Sequence, residues 1–161
     1  MALRLRFVRG TAWDSRVIEY QTRCWCSHVE YVHPENRVTF GAQLKGGVKW
    51  RPLNDPCYRD IARTETWILQ TTMLQEEAIA RFIEQTDGAA YDWRAILSFG
   101  LGSRDWREPD SWFCSEWTAR LLELANVITF PKVLPITRIT PRDIYLLFSQ
   151  VRGCKMLAQR A

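Results

Sequence analysis

The sequence has little histidine, no long apolar run and no long run of basic residues. Its 161 residues include only two histidines, so few side chains are available as a general base. No stretch approaches the roughly 18 apolar residues that a transmembrane helix needs. Arginines between Met1 and Arg9 interrupt any apolar core of a signal peptide. We therefore expect no membrane span, and a chain that is cytoplasmic as synthesised.

Charge and composition exclude several classes of protein. The formal net charge is +4 and no cluster of about five Lys or Arg residues occurs, so we expect no nucleic-acid partner. Hydrophobic residues at 47% and charged residues at 25% exclude a disordered chain, a collagen and a coiled coil. The length suits one domain over residues 1–161, and eight tryptophans indicate a densely packed core.

Five cysteines are present, and an odd number excludes a complete disulfide framework. Without an export signal, reduced thiols are the expected state. Cys24 and Cys26 form a C-x-C pair, but no second pair lies at the spacing of a zinc finger. We therefore expect neither a metal nor another cofactor.

The pattern of apolar residues predicts an α+β domain, in which a small antiparallel sheet packs against helices. Strands are predicted at 3–8, 26–32, 38–44, 48–53 and 66–70, with a hairpin at Gly46-Gly47. Helices are predicted from 14 or 15, from 72 to 88, from 110 or 111 to 125, and from 140 to 149. A helical turn at 93–99 would precede a Gly100-x-Gly102 loop.

Cys114 is the candidate nucleophile. It lies in the first turn of the helix predicted from 110 or 111, where unpaired N–H groups and the helix dipole favour an anion. The same N–H groups would stabilise the oxyanion formed when sulfur attacks a carbonyl. The alternative is a small buried apolar side chain. A competent site predicts alkylation of Cys114 below pH 8, while the other four cysteines react slowly.

A thiolate nucleophile needs a base. His33 follows the strand in a turn with Pro34 and is expected to be solvated, whereas His28 is predicted in the middle of a strand that would hold it rigidly. The alternative for His28 is a structural histidine. A third group should orient the imidazole. Glu30 shares the strand face of His28, and Gln43 lies on the next strand; either is alternatively a plain polar residue.

This order of elements resembles the circularly permuted papain-like hydrolases of the NlpC-like superfamily, in particular the YiiX-like group. Ser27-His28-Val29-Glu30 is similar to that group's "SHVG" strand, and Phe113-Cys114-Ser115-Glu116 matches its "CSE" nucleophile motif. Further similar segments are Phe40-Gly-Ala-Gln with Gly47-Val48 and Arg51-Pro-Leu, Gly88-Ala-Ala-Tyr91-Asp92-Trp93, and Ile139-Thr140-Pro141-Arg-Asp143.

The resemblance implies a permuted papain-like fold and a thiol hydrolase, with Cys114 as nucleophile and His28 as base. The family often places a Glu or His before an Ala on its second strand; here Gly41 stands there, with Gln43 two residues on. We therefore expect Gln43→Ala to lower the rate more than Glu30→Ala.

Further residues could contact the substrate. Tyr91 and Asp92 would line the cleft, although Asp92 suits a turn cap equally well. Trp112 would flank a substrate groove, with core packing as its alternative.

Three functions remain open. The first is cleavage of an amide in a peptide or peptidoglycan stem peptide. The second is transfer or hydrolysis of a lipid acyl group. The third is an inactive binding or structural module, with a protein partner in a larger bacterial or phage assembly. A wall hydrolase without an export signal would be virion-associated or released by lysis.

Overall fold

A computed structural model describes residues 2–53, 55–56, 61–94, 111–131 and 135–160 of the chain. These residues form a mixed α+β structure with four helices and a six-stranded antiparallel sheet. The strands are β1 Ala2–Gly10, β2 His28–Val32, β3 Val38–Gln43, β4 Gly47–Pro52, β5 Ile61–Gln70, β6 Ala90–Tyr91, β7 Ser111–Trp112 and β8 Lys155–Arg160. The helices are α1 Trp13–Thr22, α2 Met73–Thr86, α3 Cys114–Leu124 and α4 Pro141–Ser149, and a 3-10 turn covers Ile136–Arg138.

The large sheet has the strand order β4-β3-β2-β1-β5-β8, with every neighbouring pair antiparallel. β1 lies inside the sheet, between β2 and β5. Its sequence alternates apolar residues with arginines, which gives the strand two different faces. Leu3, Leu5 and Phe7 are buried in the core on one face. Arg6 lies on the other face, opposite Glu30 of β2. The alternation thus separates an apolar face from a polar face.

Helix α3 closes the apolar face of the sheet. Trp117 is fully buried, and its ring lies 5.3 Å from Phe40 of β3 and 5.5 Å from Phe82 of α2, measured between ring centroids. α2 begins with the expected capping box of Thr72 and Gln75. Among the described residues, no helix is long and apolar enough to cross a membrane.

Two predicted boundaries at the site were wrong. α3 begins at Cys114 and not at 110 or 111, because Ser111 and Trp112 pair instead with Ala90 and Tyr91 as a short parallel strand. The predicted strand from 26 begins at His28, so His28 stands at the start of β2 and not in its middle.

Other elements differ in extent. β5 extends from Ile61 to Gln70 rather than from 66, and the unpredicted β8 pairs with it as an edge strand whose side chains are largely exposed. The predicted turn at 93–99 is described only at Trp93 and Arg94, which are helical. The described residues do not include the rest of this turn, the Gly100-x-Gly102 loop or Cys57.

The hairpin between β3 and β4 is held by Arg51 and shaped by Gly47. The buried Arg51 guanidinium donates hydrogen bonds to four backbone carbonyls of this hairpin, of Gly41, Lys45, Gly47 and Lys49. Gly47 has a φ of +69°, and a Cβ there would lie 2.3 Å from the carbonyl oxygen of Ala89, immediately before β6. This contact packs the start of β6 against the hairpin.

Gly47→Ala should therefore destabilise the fold by more than the cost of a left-handed backbone alone. Gly88→Ala is the matched control, because Gly88 has a φ of +85° but its added Cβ would meet nothing within 4 Å. We expect about 1–2 kcal/mol for the control, and about 1–3 kcal/mol more for Gly47→Ala. Urea unfolding measures both, and equal losses would contradict the close contact.

Candidate active site

Cys114 is the first residue of α3. Phe113 precedes it in an extended conformation, and its carbonyl accepts the first helical hydrogen bond, from the N–H of Trp117 at 2.9 Å. The first-turn N–H groups of a helix have no acceptor within the helix, and they carry its positive dipole end. Cys114 is therefore held where a sulfur anion is electrostatically favoured. Its side chain is buried at 1% exposure beside Ile18 and Phe113.

His28 begins β2, opposite Val8 of β1. Its Nε2 atom lies 3.5 Å from Oε2 of Glu30, and its side chain is 19% exposed. Among the described residues, Nε2 has no closer hydrogen-bond partner than this carboxylate. The charge of the Cys114 sulfur acts on the same imidazole. The fold thus brings together the two residues proposed as nucleophile and base.

Glu30 is the centre of a buried polar network. Its carboxylate accepts a hydrogen bond from Nε of Arg6 at 2.6 Å and another from Nε2 of Gln43 at 3.2 Å. The side chain of Glu30 is 1% exposed, so the Arg6 cation compensates a charge that water cannot reach. The carboxylate therefore lies against the imidazole of His28, while Gln43 donates to the carboxylate. This geometry favours Glu30, and not Gln43, as the group with the larger effect on His28.

The environment of His28 stabilises its protonated form. Burial by itself lowers the pKa of the imidazole, but the charge and hydrogen bond of Cys114 raise it, and Glu30 adds to that rise. The pKa of His28 is raised from 6.5 to about 9. His28 is thus a cation at neutral pH, with the Glu30 carboxylate beside it.

A cavity of about 250 Å³ opens beside this group. Its wall includes His28, Gln43 and Tyr91, together with Asp14 and Ser15 of α1 and Lys45 of the β3–β4 hairpin. Apolar side chains, among them those of Val8, Ile18 and Leu44, form much of the remaining wall, so the cavity is small and mixed, with charges of both signs. It suits a compact polar group better than a long hydrocarbon chain.

Tyr91 lies beside Cys114. Its ring centroid is 5.9 Å from that of Phe113, and it packs against Cys114 and Ile18. Burial, followed by the charges of Cys114, Asp14 and Asp92, raises the pKa of Tyr91 well above 10. The phenol therefore keeps its proton and stays a hydrogen-bond donor at the cavity.

Asp92 and Trp112 have structural contacts. Oδ1 of Asp92 accepts the backbone N–H of Arg94 at 3.0 Å, as expected for the turn-cap alternative. Trp112 pairs with Tyr91 in the short parallel sheet, and its ring lies edge-on to Phe82 at 5.6 Å. The roles of both residues in substrate binding remain predictions.

The sequence did not indicate Arg6 as part of the site. The sequence shows the alternating arginines of β1, but only the fold determines that Glu30 of β2 lies opposite Arg6. The other histidine has a local role, since Nδ1 of His33 accepts the backbone N–H groups of Glu35 and Asn36. Among the described residues, no three His, Cys, Asp or Glu side chains come together as a metal site.

The titration of His28 tests the described contacts. In a His33→Gln background the NMR spectrum contains one imidazole, and we expect its midpoint near pH 9. Cys114→Ser should lower this midpoint strongly, because the charge that most favours the imidazolium is removed and burial then dominates. Glu30→Gln should lower it by less. A midpoint that neither substitution changes would contradict the proposed contacts.

Comparison with known proteins supports the architecture. No family model matches the chain, and no curated protein matches its sequence. The solved structure of the metalloprotein YiiX from Escherichia coli O157:H7 is similar to it, with a TM-score of 0.68 and 14% sequence identity. The similarity covers 99% of this chain and 97% of that one. The chain therefore has a YiiX-like fold.

Proposed function

We propose that the protein is a cysteine hydrolase of the permuted papain-like, NlpC-like type, which cleaves an amide bond through an S-acyl intermediate on Cys114. The observation that carries the proposal is the His28 imidazole, whose Nε2 lies 3.5 Å from Oε2 of the buried Glu30 and whose protonated form is favoured by the charge of Cys114. A nucleophile, a base and a group that orients the base are the parts that thiol hydrolysis requires.

The reaction starts from protonated His28 with the deprotonated Cys114 sulfur beside it, the thiol proton having moved to the imidazole. The thiolate attacks the substrate carbonyl carbon, and the N–H groups at the start of α3 stabilise the oxyanion. His28 then gives its proton to the leaving amine, and the C–N bond breaks. Neutral His28 takes a proton from water, whose oxygen attacks the thioester. Collapse of that adduct releases the carboxylic acid and restores the thiolate beside protonated His28.

The substrate class follows from the cavity beside His28. A volume of about 250 Å³ with charged side chains of both signs, including Asp14 and Lys45, matches a peptide that carries free amines and carboxylates. Peptidoglycan stem peptides have this character. The charged side chains of Asp14 and Lys45 disfavour the alternative of lipid acyl transfer, since an alkyl chain would desolvate them without compensation.

One observation favours a second candidate, an inactive binding module. The Cys114 side chain is only 1% exposed, whereas a nucleophile must be reached by its substrate.

Iodoacetamide labelling resolved by peptide mapping separates the hydrolase from the inactive binding module. Cys154 is the reference thiol, since burial raises its pKa to about 11. Labelling is done in a Cys24→Ser background, because the pKa of Cys24 is lowered to about 6. Cys24 is therefore expected to react fast as well, whereas the fast reaction of Cys114 stays a prediction.

Turnover of peptidyl nitroanilides and purified peptidoglycan fragments tests the catalytic roles. We expect Cys114→Ala to abolish hydrolysis while leaving the circular dichroism spectrum and melting temperature close to wild type. Glu30→Gln should lower kcat more than Gln43→Ala, because Glu30 contacts the imidazole directly. Hydrolysis that survives Cys114→Ala would refute the nucleophile. No turnover, with Cys114 labelled as slowly as Cys154, would favour the binding module.

Tyr91→Phe tests the phenol as a second donor to the oxyanion. Loss of one such donor costs about 100- to 1,000-fold in kcat. We expect a loss in that range with little change in KM, because the donor acts on charge that develops in the transition state. Tyr145→Phe is the control, since it removes a phenol that donates to Glu65 and does not line the cavity beside His28. A kcat for Tyr91→Phe within twofold of wild type would remove Tyr91 from the oxyanion site.

A further inference from the structure

A second group of reactive sulfur atoms lies between α1 and β2. Cys24 and Cys26 flank Trp25, and their Sγ atoms are 3.4 Å apart. A disulfide bond is about 2.05 Å long, so the two atoms need to approach by little more than about 1 Å. Neither residue takes part in the hydrolytic steps described above.

The segment that carries the pair is anchored and irregular. The ring of Trp25 lies edge-on to Tyr145 at 5.6 Å, and the guanidinium carbon of Arg63 lies 4.3 Å from the ring centroid. On either side of this anchor the backbone is neither helix nor strand. The Trp25 anchor therefore holds the two sulfurs close together, while the irregular backbone leaves them able to adjust.

The two thiols have different acidities. The hydrogen bond from Cys26 lowers the pKa of Cys24 to about 6; partial burial opposes this shift, and the charge of Arg142 assists it. The pKa of Cys26 is raised far above its ordinary value by Cys24, by burial and by the charges of Cys24 and Cys114. Cys24 is partly exposed and Cys26 is buried. One thiol is thus an accessible thiolate at neutral pH, and the other keeps its proton.

We propose that Cys24 and Cys26 form a dithiol site that reduces hydroperoxides and closes to a disulfide. The Cys24 thiolate attacks the terminal peroxide oxygen, the O–O bond breaks, and the departing alkoxide takes a proton to leave as alcohol. Cys24 is then a sulfenic acid. The Cys26 sulfur attacks the Cys24 sulfur, and the hydroxyl group leaves with the Cys26 proton as water. In total, two thiols and one hydroperoxide give a disulfide, an alcohol and water.

The test is hydrogen peroxide treatment followed by alkylation and tryptic mapping. Cleavage after Arg23 and Arg37 puts both cysteines, and no others, on the peptide 24–37. We expect this peptide to lose two hydrogens and to escape alkylation before Cys154 is oxidised. The rate should fall about tenfold from pH 7 to pH 5, as the Cys24 thiolate is protonated. Dithiothreitol should restore alkylation.

Matched variants separate the two roles. Cys26→Ser should stop the reaction at the sulfenic acid of Cys24, trapped by dimedone, while Cys24→Ser should leave Cys26 reduced. Cys114→Ser should still allow the Cys24–Cys26 disulfide to form, because neither step uses the Cys114 sulfur, although its charge acts on Cys26. A peptide 24–37 that stays fully alkylated while Cys154 is oxidised would overturn the proposal. A disulfide between Cys26 and Cys114 in its place would also overturn it.

Discussion

The buried ion pair between Arg6 and Glu30 is the interaction on which the arrangement of the site depends. A carboxylate that is 1% exposed remains ionised only when a cation or several donors replace the lost water. Arg6 supplies that cation from the position directly opposite on β1. A slip of one residue between the strands would turn one partner to the opposite face and leave a buried charge unpaired. The pair therefore favours the register that also places His28.

The division of the Glu30 carboxylate between its neighbours sets the chemistry of the imidazole. Arg6 engages one oxygen, while the other faces His28 and accepts from Gln43. A carboxylate shared in this way stays anionic and still favours the imidazolium. The sheet thus supplies an imidazole beside a carboxylate, and α3 supplies the Cys114 sulfur at its positive end. Strand β7 defines where α3 begins, and through its pairing with β6 it also positions Tyr91.

Two of the thiols owe their acid–base setting to different neighbours. Cys114 has the start of a helix and a cationic imidazole beside it. Cys24 shares a hydrogen bond with the thiol of Cys26, and the charge of Arg142 also acts on it. Cys154 has neither, and burial raises the pKa of its thiol. Neighbouring groups, rather than the residue type, therefore set the electrostatic surroundings of each sulfur.

The sequence by itself determined the α+β class, the capping box of α2, the β3–β4 hairpin and the candidates Cys114, His28 and Glu30, because periodicity, caps and glycine turns act over a few residues. Only the tertiary structure decided that Arg6 faces Glu30, that β7 delays the start of α3 until Cys114, and that Cys24 has an acidic thiol. Each of these depends on strand pairing or on burial and charge between side chains, which a linear pattern does not encode.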